Sequence, residues 1–499
     1  MQFENLKKVD NNTYKFTLSN THVTYANTLR RLILTGVESV AFRADMTSTG
    51  TTTDVSVHQN TTPMTNEMLA HRIGLLPVNV KDPLKWNPDR FEFKLTAEAK
   101  KDSLVDVFAS DFKIIDTGAV EVIARRKVIK RRSVKGGAGS EEEYEEYETE
   151  EEDNTNDNTN STGSSESSSN ESISNSNEST VSESNKKNVP SHIFFPPHPI
   201  TKETCLIATF PSGSGQKINL TARATIGTGR ENARFIPVSQ CSYEYTRDTD
   251  EERQQEMFEK WLLDAKKVAF TEEEADSDKM KALRREFNTM EVARCYLKDD
   301  AGEPYSFDFT VESAGVLDVA YIVKRACEVG ENMTGRYVNI DTSKLPEELI
   351  ITSAEGRIIG FDFLFRGHDH TLGNLLQTWL VSNHVDGTEA PRITYAGYKV
   401  PHPLRDEMIL RVGVADGKEE TARLAVAKAA RGCVDMFRQM RGGWEAILSG
   451  KGPVTNAVVA ATRALRRAEG TSKVRDDGGV SESKVSEAVK VASKLLTKK

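Results

Sequence analysis

Hydrophobic residues alternate with polar ones near the start of the chain and then recur with the period of a helix. Phe16 and Leu18 alternate with polar neighbours, as in a strand with one buried face. Over residues 23–34 the apolar positions lie three or four residues apart, which predicts an amphipathic helix. A shorter helix is predicted to begin at Thr65 and to end near Gly74. The first part of the chain therefore combines strands with amphipathic helices.

A similar pattern returns in the C-terminal half. It predicts strands at residues 358–365 and 409–414, a helix at 370–381 and a long helix at 419–440. The apolar stripe of the long helix consists of Ala422, Val426, Ala429, Cys433, Met436 and Met440. These spacings indicate a face that packs against another helix. They leave open whether that face belongs to an ordinary core or to a dimer interface.

The segment between the two patterns is predicted to hold further elements of both kinds. Strands are predicted at residues 205–210, 218–225 and 307–311, one or two surface helices at 250–291, and a helix with an apolar stripe at 315–332.

The two patterns align with each other as copies of one unit. At an offset of 343 residues, the first copy's Asn27, Thr28, Leu29, Leu32 and Ile33 match His370, Thr371, Leu372, Leu375 and Leu376. At this offset Gly373 and Asn374 replace Arg30 and Arg31, and we expect another backbone to approach closely at Gly373. Two copies in one chain favour a pseudo-twofold pairing in which each buries the other's apolar helices.

The composition of residues 136–188 differs from that of the rest of the chain. Ser140 to Asn185 contains 15 acidic residues and neither Lys nor Arg, so the net charge of −9 becomes +6 without them. The segment has too few apolar residues to offset the entropy of ordering, which predicts a disordered acidic loop. The basic run at residues 125–132 is interpreted either as a nucleic-acid or import-receptor site or as a solvated strand end.

The sequence also excludes several classes of protein. The start of the chain lacks the pattern of a signal peptide, and no apolar run approaches the roughly 18 residues of a membrane span. The five cysteines show no C-x-x-C spacing, which predicts buried free thiols in a reducing compartment, with no metal and no cofactor. No phosphate loop, catalytic triad or Asp-rich metal motif is found, so we do not expect an enzyme.

Two sets of motifs resemble a known family. Residues 27–32 (NTLRRL) and 68–77 (MLAHRIGLLP), supported by 222–237 and 307–317, resemble the D subunit of archaeal RNA polymerase and the third-largest subunit of eukaryotic RNA polymerase II. They resemble the bacterial alpha subunit more distantly. Residues 369–376 (DHTLGNLL) and 396–404 (AGYKVPHPL) resemble the archaeal L subunit and the eleventh subunit of the eukaryotic enzyme. The fused layout is similar to polymerase subunits of large DNA viruses of eukaryotes.

The resemblance implies an α+β fold with two related polymerase-alpha-type dimerisation domains in tandem, closed on each other as an intramolecular pseudo-heterodimer around four helices. The implied divisions are residues 1–83 and 221–335 for the D-like domain, 84–220 for a β-rich insertion domain and 351–445 for the L-like domain. Composition and pattern add the acidic loop at 136–188, a polar linker at 336–350 and, outside the resemblance, a basic helical extension at 446–499. Relatives carry a zinc loop or iron–sulfur cysteines in the insertion domain. Only Cys205 falls in that stretch, so we expect no metal there.

The implied function is a non-catalytic assembly platform that recruits the largest and second-largest subunits of a DNA-dependent RNA polymerase alongside other small subunits. DNA and RNA are then contacted only through the complex, and no membrane is involved. By resemblance, the partner-binding residues are Asn27, Thr28, Leu29, Arg30, Arg31, Leu32, His71, Arg72, Gly74, Lys399, Pro401 and His402. The predicted intramolecular dimerisation residues are Ile322, Ala326, His370, Thr371, Leu372, Leu375, Leu376, Trp379, Val426, Ala429, Cys433 and Met436.

The main alternative is a stand-alone nucleic-acid-binding protein that uses the basic run and the C-terminal tail. Residues 451–499 hold 11 basic and 5 acidic residues, with an amphipathic stripe that fits a partner helix, a nucleic-acid contact or a mobile tail. The expected location is intracellular, in the virion and in the cytoplasm or nucleus of the host cell.

Overall fold

The computed structural model describes residues 1–45, 54–118, 187–268, 270, 277–342 and 344–450. The helices in these ranges are α1 Val23–Thr35, α2 Asn66–Gly74, α3 Glu251–Trp261, α4 Asp278–Met290, α5 Val319–Gly335, α6 His370–Leu380 and α7 Glu419–Leu448. The strands are β1 Gln2–Lys8, β2 Thr13–Ser19, β3 Glu38–Ala41, β4 Val55–Asn60, β5 Phe91–Glu98, β6 Val105–Phe108, β7 Lys113–Asp116, β8 Lys187–Val189, β9 Leu206–Phe210, β10 Lys217–Ala222, β11 Thr225–Thr228, β12 Val238–Tyr245, β13 Ser306–Ser313, β14 Leu349–Ser353, β15 Gly360–Arg366, β16 Tyr395–Lys399 and β17 Glu407–Gly413.

Two units of the chain have the same topology. The first unit's sheet has the order β1-β2-β13-β12, and the second unit's sheet has the order β14-β15-β17-β16. Both sheets are antiparallel throughout. In each unit one helix follows the second strand and a longer helix follows the fourth strand, namely α1 and α5 in the first unit and α6 and α7 in the second. This arrangement confirms the predicted α+β fold with two related domains.

The structure corrects the predicted offset between the copies from 343 to 347 residues. Strands β2 and β15 begin at residues 13 and 360, and helices α1 and α6 begin at residues 23 and 370, so both pairs are 347 residues apart. The two helices are also capped alike, since the side chains of His22 and Asp369 each accept a hydrogen bond from the backbone N–H two residues later. Arg30 therefore corresponds to Gln377, and Gly373 corresponds to Ala26. The error of four residues is close to one helical turn, which leaves an apolar stripe nearly in phase.

The first unit is interrupted by a separate β-rich domain. Its main sheet has the order β4-β10-β5-β7-β8, and helix α2 and the β6–β9 pair complete it. Its core, which includes Leu69, Phe93, Phe112, Phe195 and Phe210, is distinct from the core of the two units. The predicted basic run, the predicted acidic loop up to residue 186 and the extension beyond residue 450 lie outside the described residues.

A helical hairpin, α3–α4, joins β12 to β13. It has a small core of its own, formed by Phe258, Leu262, Met280 and Phe287. The prediction of one or two surface helices at residues 250–291 is therefore confirmed. None of the helices in the described ranges combines the length and apolar character needed to cross a bilayer.

One hydrophobic core runs through both four-stranded units. It includes residues of both sheets and of helices α1, α5, α6 and α7, and α5 packs along α7 while α1 contacts α6. The predicted four-helix core with a sheet behind each pair is therefore confirmed. The division of the chain at residues 83, 220, 335, 350 and 445 stays a prediction.

The connection between the units is packed rather than a free polar spacer. After α5, Tyr337 and Ile340 are buried in the shared core. The Tyr337 hydroxyl lies 2.8 Å from Nε2 of His368, just before α6. The predicted linker was wrong in this respect, because two apolar side chains anchor it to both units.

Candidate functional site: the interface between the two units

The centre of the interface is an apolar seam between α5 and α7. Ile322 and Ala326 of α5 are fully buried, as are Val426, Ala429 and Cys433 of α7. Burial raises the pKa of the Cys433 thiol, because the thiolate has no solvation there. Apolar burial contributes about 25 cal/mol per Å² of surface removed from water, so this seam stabilises the closed arrangement of the two units.

Two glycines let aromatic rings pack directly on helix backbones in this core. A Cβ added at Gly330 of α5 would lie 2.6 Å from the ring of Phe437 in α7. In the second unit, a Cβ at Gly432 of α7 would overlap the ring of Trp379 of α6. A glycine in a helix costs about 1 kcal/mol relative to alanine, and here the close packing of a large ring offsets that cost.

A pair of pseudo-symmetric polar contacts joins α1 to α6. On one side, Arg31 donates from Nε to the Thr371 hydroxyl at 2.8 Å and from Nη2 to the Asp369 carboxylate at 3.1 Å. On the other side, the Thr378 hydroxyl donates to that of Thr24 at 3.2 Å. Thr378 and Thr24 lie 347 residues from Arg31 and Thr371, so the contacts are the two halves of one pseudo-twofold arrangement.

Only one of these two contacts is charged. Burial raises the pKa of Asp369, but hydrogen bonds from Thr371 and the charge of Arg31 outweigh burial and hold that pKa below its ordinary value. The position equivalent to Asp369 is His22, and the position equivalent to Arg31 is Thr378. Pairing two first units would thus leave Arg31 without an acid, and pairing two second units would leave Asp369 without a base.

Ion pairs line the rim of the seam. Glu331 of α5 accepts from Arg438 at 2.9 Å and from Arg441 at 3.2 Å, both on α7. Lys324 of α5 pairs with Glu445 of α7 at 2.8 Å. Exposed pairs of this kind contribute about 0–1 kcal/mol each, so they define the register of α7 on α5 more than they stabilise it.

The last turns of α7 leave the second unit and cover the sheet of the first. Trp444 is fully buried, with its ring centroid 5.3 Å from that of Phe3 and 5.0 Å from that of Phe16. Its indole Nε1 donates to the backbone carbonyl of Ala320 in α5 at 3.0 Å. The predicted helix ended at Met440, so it missed this contact between the units.

Most of the predicted dimerisation residues lie in the shared core. Leu372, Leu375 and Leu376 are fully buried, Met436 and Thr371 are nearly so, and Trp379 is partly buried. His370 is an exception, because its ring is exposed and lies 3.3 Å from the Tyr398 hydroxyl, outside the seam. The prediction for His370 was wrong since, at the start of α6, it faces β16 rather than α1.

The structure divides the predicted partner-binding residues of α1. Thr28, Leu29 and Leu32 are buried in the chain's own core, and Arg31 is engaged by Asp369, so these four side chains already have partners within the chain. Asn27 and Arg30 line a surface groove. The sequence alone could not separate the buried positions of α1 from the exposed ones. Which face of the helix packs against the second unit is known only from the structure.

The other predicted partner-binding residues lie at the surface, with one exception. His71 and Arg72 are exposed on α2, as are Lys399, Pro401 and His402 around the β16–β17 loop. Gly74 is buried, and a Cβ there would lie 2.9 Å from Nη1 of Arg234. Gly74 therefore serves the packing of the chain itself.

Several residues of the interface were not predicted from the sequence. They are Thr24, Tyr337, His368, Asp369, Thr378, Arg438 and Trp444. Trp444 continues the apolar stripe of α7 one turn beyond Met440, so that signal was present in the sequence. The polar residues gave no comparable signal, since their partners lie more than 30 residues away in the chain.

The geometry defines a class of protein, a chain that folds two copies of a dimerisation unit against each other. A family model for the RNA polymerase Rpb3/Rpb11 dimerisation domain matches residues 15–332, and a second model with that description matches residues 361–442. The chain belongs to this family and carries two of its domains in tandem.

The similar proteins include subunits named RPB3 and subunits named RPB11. The chain is 28% identical over 134 residues to the DNA-directed RNA polymerase II subunit RPB3 of Schizosaccharomyces pombe, which covers 26% of this chain and 41% of that relative. It is 29% identical over 113 residues to the RPB11 subunit of the same organism, or 22% of this chain and 81% of the relative. It is 30% identical over 108 residues to the probable RNA polymerases I and III subunit RPAC2 of Caenorhabditis elegans, or 22% and 69%.

Proposed function

We propose that this chain is a non-catalytic assembly subunit of a DNA-dependent RNA polymerase, in which one polypeptide does the work of a pair of subunits. The observation that carries the proposal is the closed interface of two Rpb3/Rpb11-type domains, with Arg31 on Asp369 and Trp444 on the first sheet. Fusion makes the pairing intramolecular, at an effective concentration of about millimolar for a short connection. The closed pair then offers one rigid surface to larger partners.

The proposed partners are the largest and second-largest polymerase subunits, together with other small subunits. Three exposed surfaces are the candidates for docking: the groove at Asn27 and Arg30, the face of α2 around Arg72, and the β16–β17 loop, where Leu404 is 89% exposed. An exposed large apolar side chain in a proline-containing loop suits an interface better than solvent.

The experiment is affinity purification of the tagged chain from the cells that produce it natively, followed by native mass spectrometry and an RNA-synthesis assay. The proposal predicts both large subunits in equal numbers with the chain, and RNA synthesis by the eluate. Arg72→Ala and Leu404→Asp are expected to weaken the complex, whereas Lys113→Ala, an exposed position on the insertion-domain sheet, serves as the matched control. A chain that elutes alone and binds duplex DNA with a steep salt dependence would support the nucleic-acid-binding alternative instead.

We also propose that the polymerase is that of a large DNA virus of eukaryotes, located in the virion and in the infected cell. The fused layout supports this proposal. Detection of the chain by mass spectrometry in purified particles is the expected result. Its presence in uninfected cells would contradict the proposal.

A further inference from the structure

A groove lies between helix α1 and the edge strand β12 of the first unit. Its volume is about 640 Å³, and it is open to solvent along one side. Its lining comprises Asn27, Arg30, Arg247, Ala293 and the strand residues 241–245. The corresponding place in the second unit, between α6 and β16, shows why this groove is open.

Tyr243 and Tyr398 occupy equivalent positions in the two edge strands. The register of the sheets aligns the rows Tyr243–Phe309–Phe16 and Tyr398–Leu410–Phe363. In the second unit, the ring of Tyr398 lies against Gly373, where a Cβ would overlap it. Its backbone N–H donates to the side-chain oxygen of Gln377 at 3.0 Å. Helix and edge strand are therefore in direct contact there, and the space between them is filled.

Two different residues keep this space open in the first unit. Ala26 stands where the second unit has Gly373, and its methyl group occupies the place that a tyrosine ring would need. Tyr243 packs instead against Phe307 and Phe309, with ring centroids 5.6 Å and 5.4 Å away. Arg30 stands where the second unit has Gln377. Its side chain has no acceptor for a strand N–H, and its Nε donates to Oδ1 of Asn27 at 3.0 Å.

The floor of the groove is an unpaired strand edge. Among the described residues, β12 forms a ladder with β13 alone, and the bridge from Arg247 to Tyr296 lies beyond its last residue, Tyr245. An edge strand directs alternate N–H and C=O groups outward, where they can accept another strand. Recognition of an extended peptide by strand addition uses such an edge.

The charge of the groove selects the kind of peptide. Arg30 keeps its terminal guanidinium nitrogens without a hydrogen-bond partner among the described residues, and Arg247 is exposed at the far end. The planar fork of an arginine fits a carboxylate with two hydrogen bonds. Glu244 also lines the groove, so carboxylates are favoured beside the two arginines and disfavoured beside Glu244.

We propose that this groove binds an extended acidic segment of another polymerase subunit, which adds as a strand to β12 and places a carboxylate on Arg30. The inference rests on the proposed function, since it takes the partner to be a polymerase subunit. The second unit cannot bind in the same way, because Tyr398 and Gln377 fill its groove. Of the two described units, the first therefore carries this site and the second does not.

The test uses the full chain in its native complex, with the photo-crosslinking residue p-benzoylphenylalanine in place of Ser242, which is exposed on β12. The proposal predicts a crosslink to an acidic, extended segment of a polymerase subunit, identified by mass spectrometry. The control has the same crosslinker in place of Thr394, which is exposed just before β16, and is expected not to trap that segment.

A second variant closes the groove with the second unit's own residues. Ala26→Gly combined with Arg30→Gln is expected to lower the yield of the Ser242-position crosslink at least tenfold, with the melting temperature as the control for folding. Three outcomes would overturn the inference: no crosslink in an intact complex, an undiminished crosslink in the closed-groove variant, or a crosslink to a second copy of this chain. Loss of the large subunits from the unsubstituted chain would instead refute the proposed function.

Discussion

Gly330 makes close packing possible between the long helices of the two units, so its replacement is the sharpest test at the scale of one residue. In Gly330→Ala the new Cβ would lie 2.6 Å from the buried ring of Phe437. We expect a loss of about 2 kcal/mol in the free energy of unfolding, since overpacking a core costs about 1–3 kcal/mol. Denaturant unfolding followed by circular dichroism measures it.

The matched control is Gly335→Ala at the end of the same helix. A Cβ there meets no atom within 4 Å. The gain in helix propensity predicts a change between zero and about 1 kcal/mol in the stabilising direction. Equal destabilisation by both substitutions would mean that the Phe437 contact is not the cause.

The charged contact between the units can be isolated by a double-mutant cycle with Arg31→Thr and Asp369→Asn. The two side chains are 34% and 35% exposed, so we expect a coupling free energy of about 1 kcal/mol. The coupling free energy excludes the contribution that Asp369 makes as the N-cap of α6, because that loss occurs equally with and without Arg31. Arg30→Thr, which removes the neighbouring arginine without touching Asp369, is expected to show no coupling with Asp369→Asn.

Titration of His368 should make the free energy of unfolding depend on pH. Burial, followed by the positive charges of Arg230 and Arg336, lowers the pKa of His368 to about 4. The unfolded chain protonates this group near pH 6.5, so its contribution is complete above that pH and is lost as the pH falls towards 4. We expect the folded state to lose about 2 kcal/mol more than the His368→Gln variant between pH 7 and 4.5. Parallel stability curves for the two proteins would contradict this assignment.

At the scale of elements, the sequence predicted the helices better than the strands. The apolar stripes of α1, α5, α6 and α7 lie in one core and were visible in the spacing of the sequence. The patterns did not show β12, β14 and β16, because edge or short strands such as Tyr395–Lys399 bury few side chains and carry little alternation. The predicted alignment of the two copies was wrong by four residues, about one helical turn. A shift of one turn leaves the apolar stripe nearly in phase, so periodicity alone cannot detect it.

Trp444 allows a test of the contact between α7 and the first sheet. We expect Trp444→Ala to cost about 3–5 kcal/mol, the range for a fully buried tryptophan. Hydrogen exchange should then accelerate both in the last turns of α7 and in β1, because the indole packs on Phe3 and Phe16. Leu448→Ala, at a position 40% exposed, is the control and should leave β1 unchanged. Acceleration confined to α7 would show that β1 does not depend on this contact.

At the scale of the whole molecule, the segment that joins the two units helps to hold them together. The connection after α5 is itself part of the core, through Tyr337 and Ile340. The sequence predicted the pairing of the units from their repetition, but it treated this connection as a tether, because two apolar residues in a polar segment give no periodic signal. The interface should therefore hold without covalent continuity.

Cleavage of that connection tests the central claim most directly. A protease site inserted at Lys344, which is exposed, allows the purified chain to be cut between the two units. Native mass spectrometry at micromolar concentration is then expected to find both fragments in a one-to-one complex, close in mass to the uncut chain. Separation of the fragments into two independent species would contradict the account of two units that close on each other.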